Sequence, residues 1–157
     1  MKQALGIIKF YEGLRLEPYL CPGGVPTIGY GTIVYPDGKK VSLEDKKITK
    51  KKATELLTFY VSNTMKLVTG FLKNNNIQLS VHEICSLTSF CYNLGMSPLI
   101  TSGRSLNKAV LSKDRVLMAE AMRLYVHADG VKLKGLVNRR NTEATLLLTG
   151  ELFIKGV

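Results

Sequence analysis

The chain has 157 residues, of which 45% are hydrophobic and 22% charged, as in ordinary globular proteins. These values exclude a largely disordered chain, and the apolar runs are too short and too interrupted by charge to span a membrane. The formal net charge is +10, with lysines clustered at 39–40, 46–47 and 50–52. This charge favours encounter with polyanions such as nucleic acid, anionic membranes or cell-wall polymers, without choosing among them.

The predicted elements begin with a short amphipathic helix at 3–11, where apolar side chains recur at helical spacing. The chain changes character at 14–41, which holds most of the prolines and several glycines. Within it, β-like pieces at 27–28 and 32–35 are followed by a Pro-Asp-Gly turn signal. This region therefore predicts a small β-hairpin lobe.

A long helix is predicted at 50–72, because apolar positions recur there without a proline and Thr49 is a suitable N-cap. Ser80 and Glu83 form a capping-box pattern that opens a very apolar helix running through Tyr92. Three more helices are predicted at 105–111, 114–125 and about 136–148.

The order of these elements predicts an α+β fold in a single domain over residues 1–157. An N-terminal helix (1–12) precedes the β lobe (13–48), and a connecting helix (49–73) leads to a helical lobe (74–157). We expect a monomer.

Cysteine and histidine usage gives no sign of a metal or disulfide site. Cys21, Cys85 and Cys91 are an odd set without CxxC spacing, and the two histidines lie far apart. We therefore expect no metal and no cofactor. Glu12 follows a weak apolar patch too soon for a signal peptide, so we expect synthesis and retention in a cytoplasm without stable membrane insertion.

Three polar side chains near the start of the chain are candidates for chemistry: Glu12, Cys21 and Thr27. Glu12 ends an apolar helix before a Gly- and Pro-rich loop, where a half-buried carboxyl can act as a general acid or pair with an arginine. Cys21 lies in that loop, and fits either a reactive thiol or an ordinary small side chain. Thr27 opens a predicted strand, where threonine is common for its β propensity alone. Singly, none of the three identifies a function.

Together, their pattern Glu-x8-Cys-x5-Thr-Ile-Gly-Tyr-Gly resembles the active-site signature of the phage-type muramidases, the glycoside hydrolase family 24 lysozymes of T-even and lambdoid phages. Two other segments are similar to that family: Ser-Phe-Cys-Tyr-Asn-Leu-Gly at 89–95 and Gly-Leu-Val-Asn-Arg-Arg-Asn-Thr-Glu at 135–143. The resemblance covers almost the whole chain. It implies a lysozyme-like fold with a cleft between the lobes.

The activity implied by the resemblance is hydrolysis of the β-1,4 bond between N-acetylmuramic acid and N-acetylglucosamine in peptidoglycan, with inversion. Glu12 would be the acid, and Thr27 with Cys21 would hold a water on the opposite face of the sugar. The family has an Asp, or in some members a Cys, at position 21. Two interpretations of Cys21 stay open: an ionised thiolate acting as base, or a weak substitute that leaves most of the work to Glu12 and Thr27.

The resemblance also assigns roles to four further residues. Arg139 matches an arginine that pairs with the catalytic glutamate and orients it, although a surface cation of a helix is an equal alternative. Ile33, Tyr92 and Ser105 fall where the family lines its sugar cleft, and Tyr92 could equally belong to the core.

The biological setting implied is that of a phage or prophage endolysin. Such a protein accumulates in the host cytoplasm and reaches peptidoglycan strands once a holin opens the membrane; delivery as an effector by another machine is an alternative. A second hypothesis is a non-catalytic muramidase-like domain that binds the wall, with Cys21 marking the loss of a catalytic group. Nucleic-acid binding is disfavoured, because the lysines do not interleave with aromatic residues and no nucleic-acid-binding motif is present.

Overall fold

Two lobes connected by one long helix make up the computed structural model, which describes residues 1–154; the last three positions of the predicted helical lobe, 155–157, lie outside the described residues. The elements are α1 (Lys2–Glu12), β1 (Arg15–Leu20), β2 (Pro26–Gly29), α2 (Lys50–Asn74), α3 (Val81–Leu94), α4 (Ser97–Ile100), α5 (Ser105–Leu111), α6 (Arg115–Arg123), β3 (His127–Ala128), β4 (Val131–Lys132) and α7 (Lys134–Thr149). The predicted α+β class is confirmed. No helix within residues 1–154 is long and apolar enough to cross a lipid bilayer.

The β lobe differs from the prediction in which segments pair. β1 and β2 form an antiparallel hairpin in which Tyr19 faces Thr27, with an irregular register toward Arg15. β1 was not among the predicted strands; it contains Pro18, which is tolerated because each strand of a two-stranded sheet is an edge. The strand predicted at 32–35 is wrong, since this segment makes only isolated bridges.

Helix caps read from the sequence are present in the structure. The Thr49 side chain accepts a hydrogen bond from the Lys52 backbone N–H at the start of α2. Ser80 and Glu83 form the predicted capping box of α3. These bonds satisfy backbone N–H groups that have no partner within the first helical turn, and so fix where the two central helices begin.

Two apolar clusters form the core, and α3 contributes to both. One lies inside the helical lobe and includes Phe90 and Cys91; the other joins α1, α2 and the β lobe and includes Ile7 and Cys85. The two α3 cysteines therefore face different clusters, and all three cysteines in the described residues are free. Packing of α1 and α7 against α3 brings the end of α1 close to the first half of α7.

The shortest elements of the structure were not predicted from the sequence. The four-residue α4 and the hairpin of β3 and β4 are too short for hydrophobic periodicity to reveal them. The Asp129–Gly130 turn joins the two strands, and both residues have positive φ, as two-residue hairpin turns require.

Candidate active site

A cleft of about 500 Å³ opens between the β lobe and the helical part of the molecule. α1 supplies one wall, the loop after β2 a second, and α2 with the end of α3 a third. It is lined by Glu12, Gly31, Thr32, Ile33, Val34, Tyr60, Thr64, Tyr92 and Asn93.

Glu12 is the last residue of α1, and its side chain is 26% exposed at the cleft. Its Oε1 accepts a hydrogen bond from Arg139 Nη1 at 2.7 Å. Its Oε2 lies over Gly31, where an added Cβ would be 3.6 Å from the oxygen and where φ of +91° favours glycine. Within residues 1–154, Oε2 makes no hydrogen bond and is not among the buried unpaired polar atoms. One carboxyl oxygen is thus held by the protein, and the other is open to the cleft.

Arg139 is buried beneath Glu12 and bonded on three sides. Besides the bond to Glu12, its Nε donates to Glu143 Oε1 at 3.1 Å, and its Nη2 donates to the backbone oxygen of Ser89 at 3.4 Å. Because the carboxylates of Glu12 and Glu143 both accept from this guanidinium, the Arg139 side chain is held in a single orientation. The alternative of a surface cation does not hold, since the Arg139 side chain is only 4% exposed.

A fully buried pair extends this arrangement into the helical lobe. Glu143 accepts a hydrogen bond from Ser89 Oγ at 2.7 Å, and its Oε2 lies 3.2 Å from Arg140 Nη1. Burial raises the pKa of the Glu143 carboxyl, and the two guanidinium groups beside it oppose that shift. We call Glu12, Arg139, Arg140 and Glu143 the ionic cluster; its formal charges balance.

The hairpin carries the other two predicted catalytic residues. Cys21 follows β1, and its backbone N–H donates to the Val25 oxygen at 3.0 Å in the turn before β2. Thr27 is almost fully buried in β2 and donates its hydroxyl proton to that same carbonyl at 2.9 Å. Its Oγ1 lone pairs consequently remain free to accept a hydrogen bond.

The pKa of the Cys21 thiol is lowered, chiefly because of backbone hydrogen bonding at Val25, which outweighs partial desolvation. Backbone hydrogen bonding at Gly23 and at Cys21 itself adds to this effect. Neither Cys21 nor Thr27 is among the residues that line the cleft. Tyr19 is in the adjoining strand: burial raises the pKa of its hydroxyl, Arg15 opposes the shift, and Glu12 and Cys21 both add to it. Tyr19 therefore lies within electrostatic range of both predicted catalytic groups.

Two of the three predicted sugar-binding residues line the cleft, and the third lies elsewhere. Ile33 and Tyr92 line the cleft, and Tyr92 donates its hydroxyl proton to the Tyr30 backbone oxygen at 3.2 Å. Burial, followed by the charge of Glu12, raises the pKa of Tyr92. Ser105 begins α5 and lies in a separate groove of the helical lobe beside Lys108. The structure thus brings Ile33 and Tyr92 to Glu12 and does not bring Ser105 there.

Several cleft and cluster residues were missed by the sequence analysis. Tyr60 and Thr64 are four residues apart on α2, a spacing that places both on one face, but Tyr60 was counted only among the apolar positions that predict this helix. Arg140 and Glu143 lie in the very segment that suggested a role for Arg139. Within residues 1–154, no group of three or more His, Cys, Asp or Glu side chains is arranged to hold a metal ion.

Comparison with known proteins identifies the family of the chain. The family model described as phage lysozyme matches residues 9–143. The endolysin of Bacillus phage B103 is 32% identical over 94% of this chain, which spans about half of that protein (53%). The endolysin of Acyrthosiphon pisum secondary endosymbiont phage 1 is 30% identical over 92% of this chain and 94% of its own length.

A solved structure extends the match to the fold. The endolysin from Escherichia coli O157:H7 phage FAHEc1 superimposes with a TM-score of 0.85 and 34% identity, over 98% of this chain and 96% of that one. The two-lobed lysozyme-like fold inferred from the sequence is confirmed. The resemblance to the phage lysozymes is confirmed as well, and the chain belongs to the phage lysozyme family.

Proposed function

We propose that this protein is an endolysin that hydrolyses the β-1,4 bond between N-acetylmuramic acid and N-acetylglucosamine in bacterial peptidoglycan. The observation that carries the proposal is the Glu12 carboxyl, which has one oxygen fixed by buried Arg139 and the other open to the cleft. Glycoside cleavage needs a positioned acid at the leaving oxygen and a second group on the opposite face of the sugar. The hairpin with Cys21 and Thr27 supplies that second group.

In this mechanism, Glu12 gives the proton on Oε2 to the glycosidic oxygen as the bond from that oxygen to the anomeric carbon breaks. Arg139 stays bonded to Oε1 and holds the carboxyl in place. A water donates one hydrogen bond to Thr27 Oγ1 and attacks the anomeric carbon from the other face of the sugar. Its other proton passes to the Cys21 thiolate. The lowered pKa of Cys21 supports its role as base over that of a neutral substitute. Attack opposite the leaving group inverts the anomeric configuration.

The binding roles follow the same geometry. Ile33 and Tyr92 contact the glycan strand at the cleft, with Tyr60 and Thr64 on the facing wall of α2. The predicted contact of Ser105 would require the glycan to extend onto the separate groove of the helical lobe.

The test compares the wild-type protein with Glu12→Gln, which keeps the shape and an acceptor for Arg139 but cannot act as an acid. We expect muropeptides with reducing muramic acid ends from the wild type, and a loss of at least about 100-fold in turnover from the variant. Mass spectrometry of the products checks the bond cleaved, and NMR of the first-formed anomer checks inversion. Anhydro ends would indicate a lytic transglycosylase. Wall binding without turnover would favour the non-catalytic wall-binding hypothesis.

The setting of the activity completes the proposal. The protein accumulates in the host cytoplasm as a monomer and acts on the wall after a holin permeabilises the membrane. The net charge of +10 supports retention on the anionic wall by long-range attraction. Expression in a bacterial host with and without a holin tests this setting, because lysis should require the holin; lysis without one would contradict it.

A further inference from the structure

The cleft contains a second polar side chain, Asn93, whose orientation is fixed by a hydrogen bond from a buried arginine. Asn93 lines the cleft, and its amide oxygen lies 2.5 Å from Arg140 Nη2. A guanidinium can only donate hydrogen bonds, so the amide atom that faces Arg140 must be Oδ1. The usual ambiguity between the oxygen and the nitrogen of an asparagine side chain is therefore resolved by chemistry.

Arg140 is itself enclosed by other buried groups. Its side chain is fully buried, with Nη1 3.2 Å from Glu143 Oε2, and its guanidinium lies 4.8 Å from the centre of the Phe90 ring. Glu143 is in turn bonded to Arg139 and Ser89. The ionic cluster thus holds two cleft groups at once: Glu12 through Arg139, and Asn93 through Arg140.

The amide nitrogen of Asn93 has no such partner. Nδ2 carries two N–H donors, and no acceptor for them exists among residues 1–154; nor is Nδ2 among the buried unpaired polar atoms. It therefore reaches the cleft as a donor held in one orientation. Sugar hydroxyls can satisfy either a donor or an acceptor, whereas the carbonyl oxygen of an acetamido group only accepts.

We infer that Asn93 binds the glycan strand by donating from Nδ2 to the carbonyl oxygen of an N-acetyl group. This inference rests on the proposed function, and it makes Asn93 a residue that selects acetylated over de-N-acetylated peptidoglycan. Because Oδ1 is directed at buried Arg140, the amide cannot turn that oxygen toward an amino sugar in the cleft without losing a charged hydrogen bond.

The decisive variant is Asn93→Asp. A carboxylate keeps the acceptor for Arg140, so the fold should be retained, while the donor toward the cleft is lost. We expect kcat/KM on N-acetylated peptidoglycan to fall about tenfold or more, mainly through KM. The matched control is Asn141→Asp, since Asn141 Oδ1 also accepts from an arginine, Arg123 Nε at 3.3 Å, but lies outside the cleft. The control makes the same change in net charge and should keep wild-type kinetics.

A second substrate isolates the acetamido group. On de-N-acetylated peptidoglycan the ratio of wild-type to Asn93→Asp activity should fall toward one, because the acceptor is missing for both proteins. An equal ratio on both substrates, or wild-type kinetics of Asn93→Asp on the acetylated wall, would overturn the inference. If the wild type binds the wall but turns over neither substrate, the proposed function fails while this inference is still decided by pull-down on insoluble peptidoglycan. Weaker retention of Asn93→Asp than of Asn141→Asp supports it, and equal retention overturns it.

Discussion

The two sides of the proposed site are built in different ways. On one side, Glu12 is held by an arginine that lies 127 positions away in the chain and is bonded to other buried groups of the helical lobe. On the other, Cys21 and Thr27 are held by hydrogen bonds to Val25, within the same short turn. The position of the acid thus depends on the packing of α1, α3 and α7, whereas the hairpin side depends on local backbone geometry. Substitutions on the first side should disturb stability and catalysis together, and substitutions on the second should change catalysis alone.

The largest effect is expected from Arg139→Met. Removing one partner of a buried ion pair leaves Glu12 and Glu143 without their shared cation, and costs about 3–5 kcal/mol of unfolding free energy. Turnover by the folded protein should also fall by at least about 100-fold, because Glu12 loses the bond that orients it. Urea denaturation and muropeptide release measure the two effects.

The control for this variant is Arg115→Met, which breaks an ion pair with Glu83 in the helical lobe away from the cleft. Arg115 is 40% exposed and Glu83 keeps its capping-box hydrogen bond from the Ser80 N–H, so the loss should be smaller than for Arg139→Met, with normal turnover. An Arg139→Met protein that matched this control in both measurements would show that the two sides of the site do not differ in the way described.

This difference also explains what the sequence could predict. Helix caps are local patterns, and the capping box of Ser80 and Glu83 and the N-cap Thr49 were correctly predicted. The spacing of Glu12, Cys21 and Thr27 was recognisable because it lies within a short segment of the chain.

The buried environment of Arg139 could not be read from the sequence in the same way. Residue types alone do not distinguish a surface arginine from one enclosed by α1, α3 and α7, and α7 has polar residues on more than one face. The roles of Arg140, Glu143 and Asn93 appear only when α3 and α7 are packed together. In the β lobe, β1 was not predicted, and the sequence does not reveal that a segment containing Pro18 lies at a sheet edge.

On the hairpin side, Cys21 substitutions should change activity without changing stability. Cys21→Ala removes the proposed base, and we expect kcat to fall about 100-fold, at the low end for general acid–base catalysis. Cys21→Asp replaces the thiolate with a carboxylate and should stay active. The urea midpoint should be the same for all three proteins, because the turn is held by backbone bonds that both variants keep. Only a moderate loss in Cys21→Ala would instead support the weak-substitute interpretation.

The smallest perturbation is selective alkylation of Cys21 in the folded protein. Thiolates react and thiols do not, so the lowered pKa of Cys21 should let iodoacetamide label it at a lower pH than an ordinary cysteine. Cys85 is fully buried, and burial raises the pKa of Cys91 to about 12, so neither should react while the fold is intact. Mass spectrometry across a pH series should find one label per chain, and none in Cys21→Ala. Turnover should be lost in step with labelling, since the alkylated sulfur cannot accept a proton from water. If Cys21 were labelled with the pH dependence of a free thiol, the turn would not be stabilising a thiolate, and the hairpin side would contribute Thr27 alone.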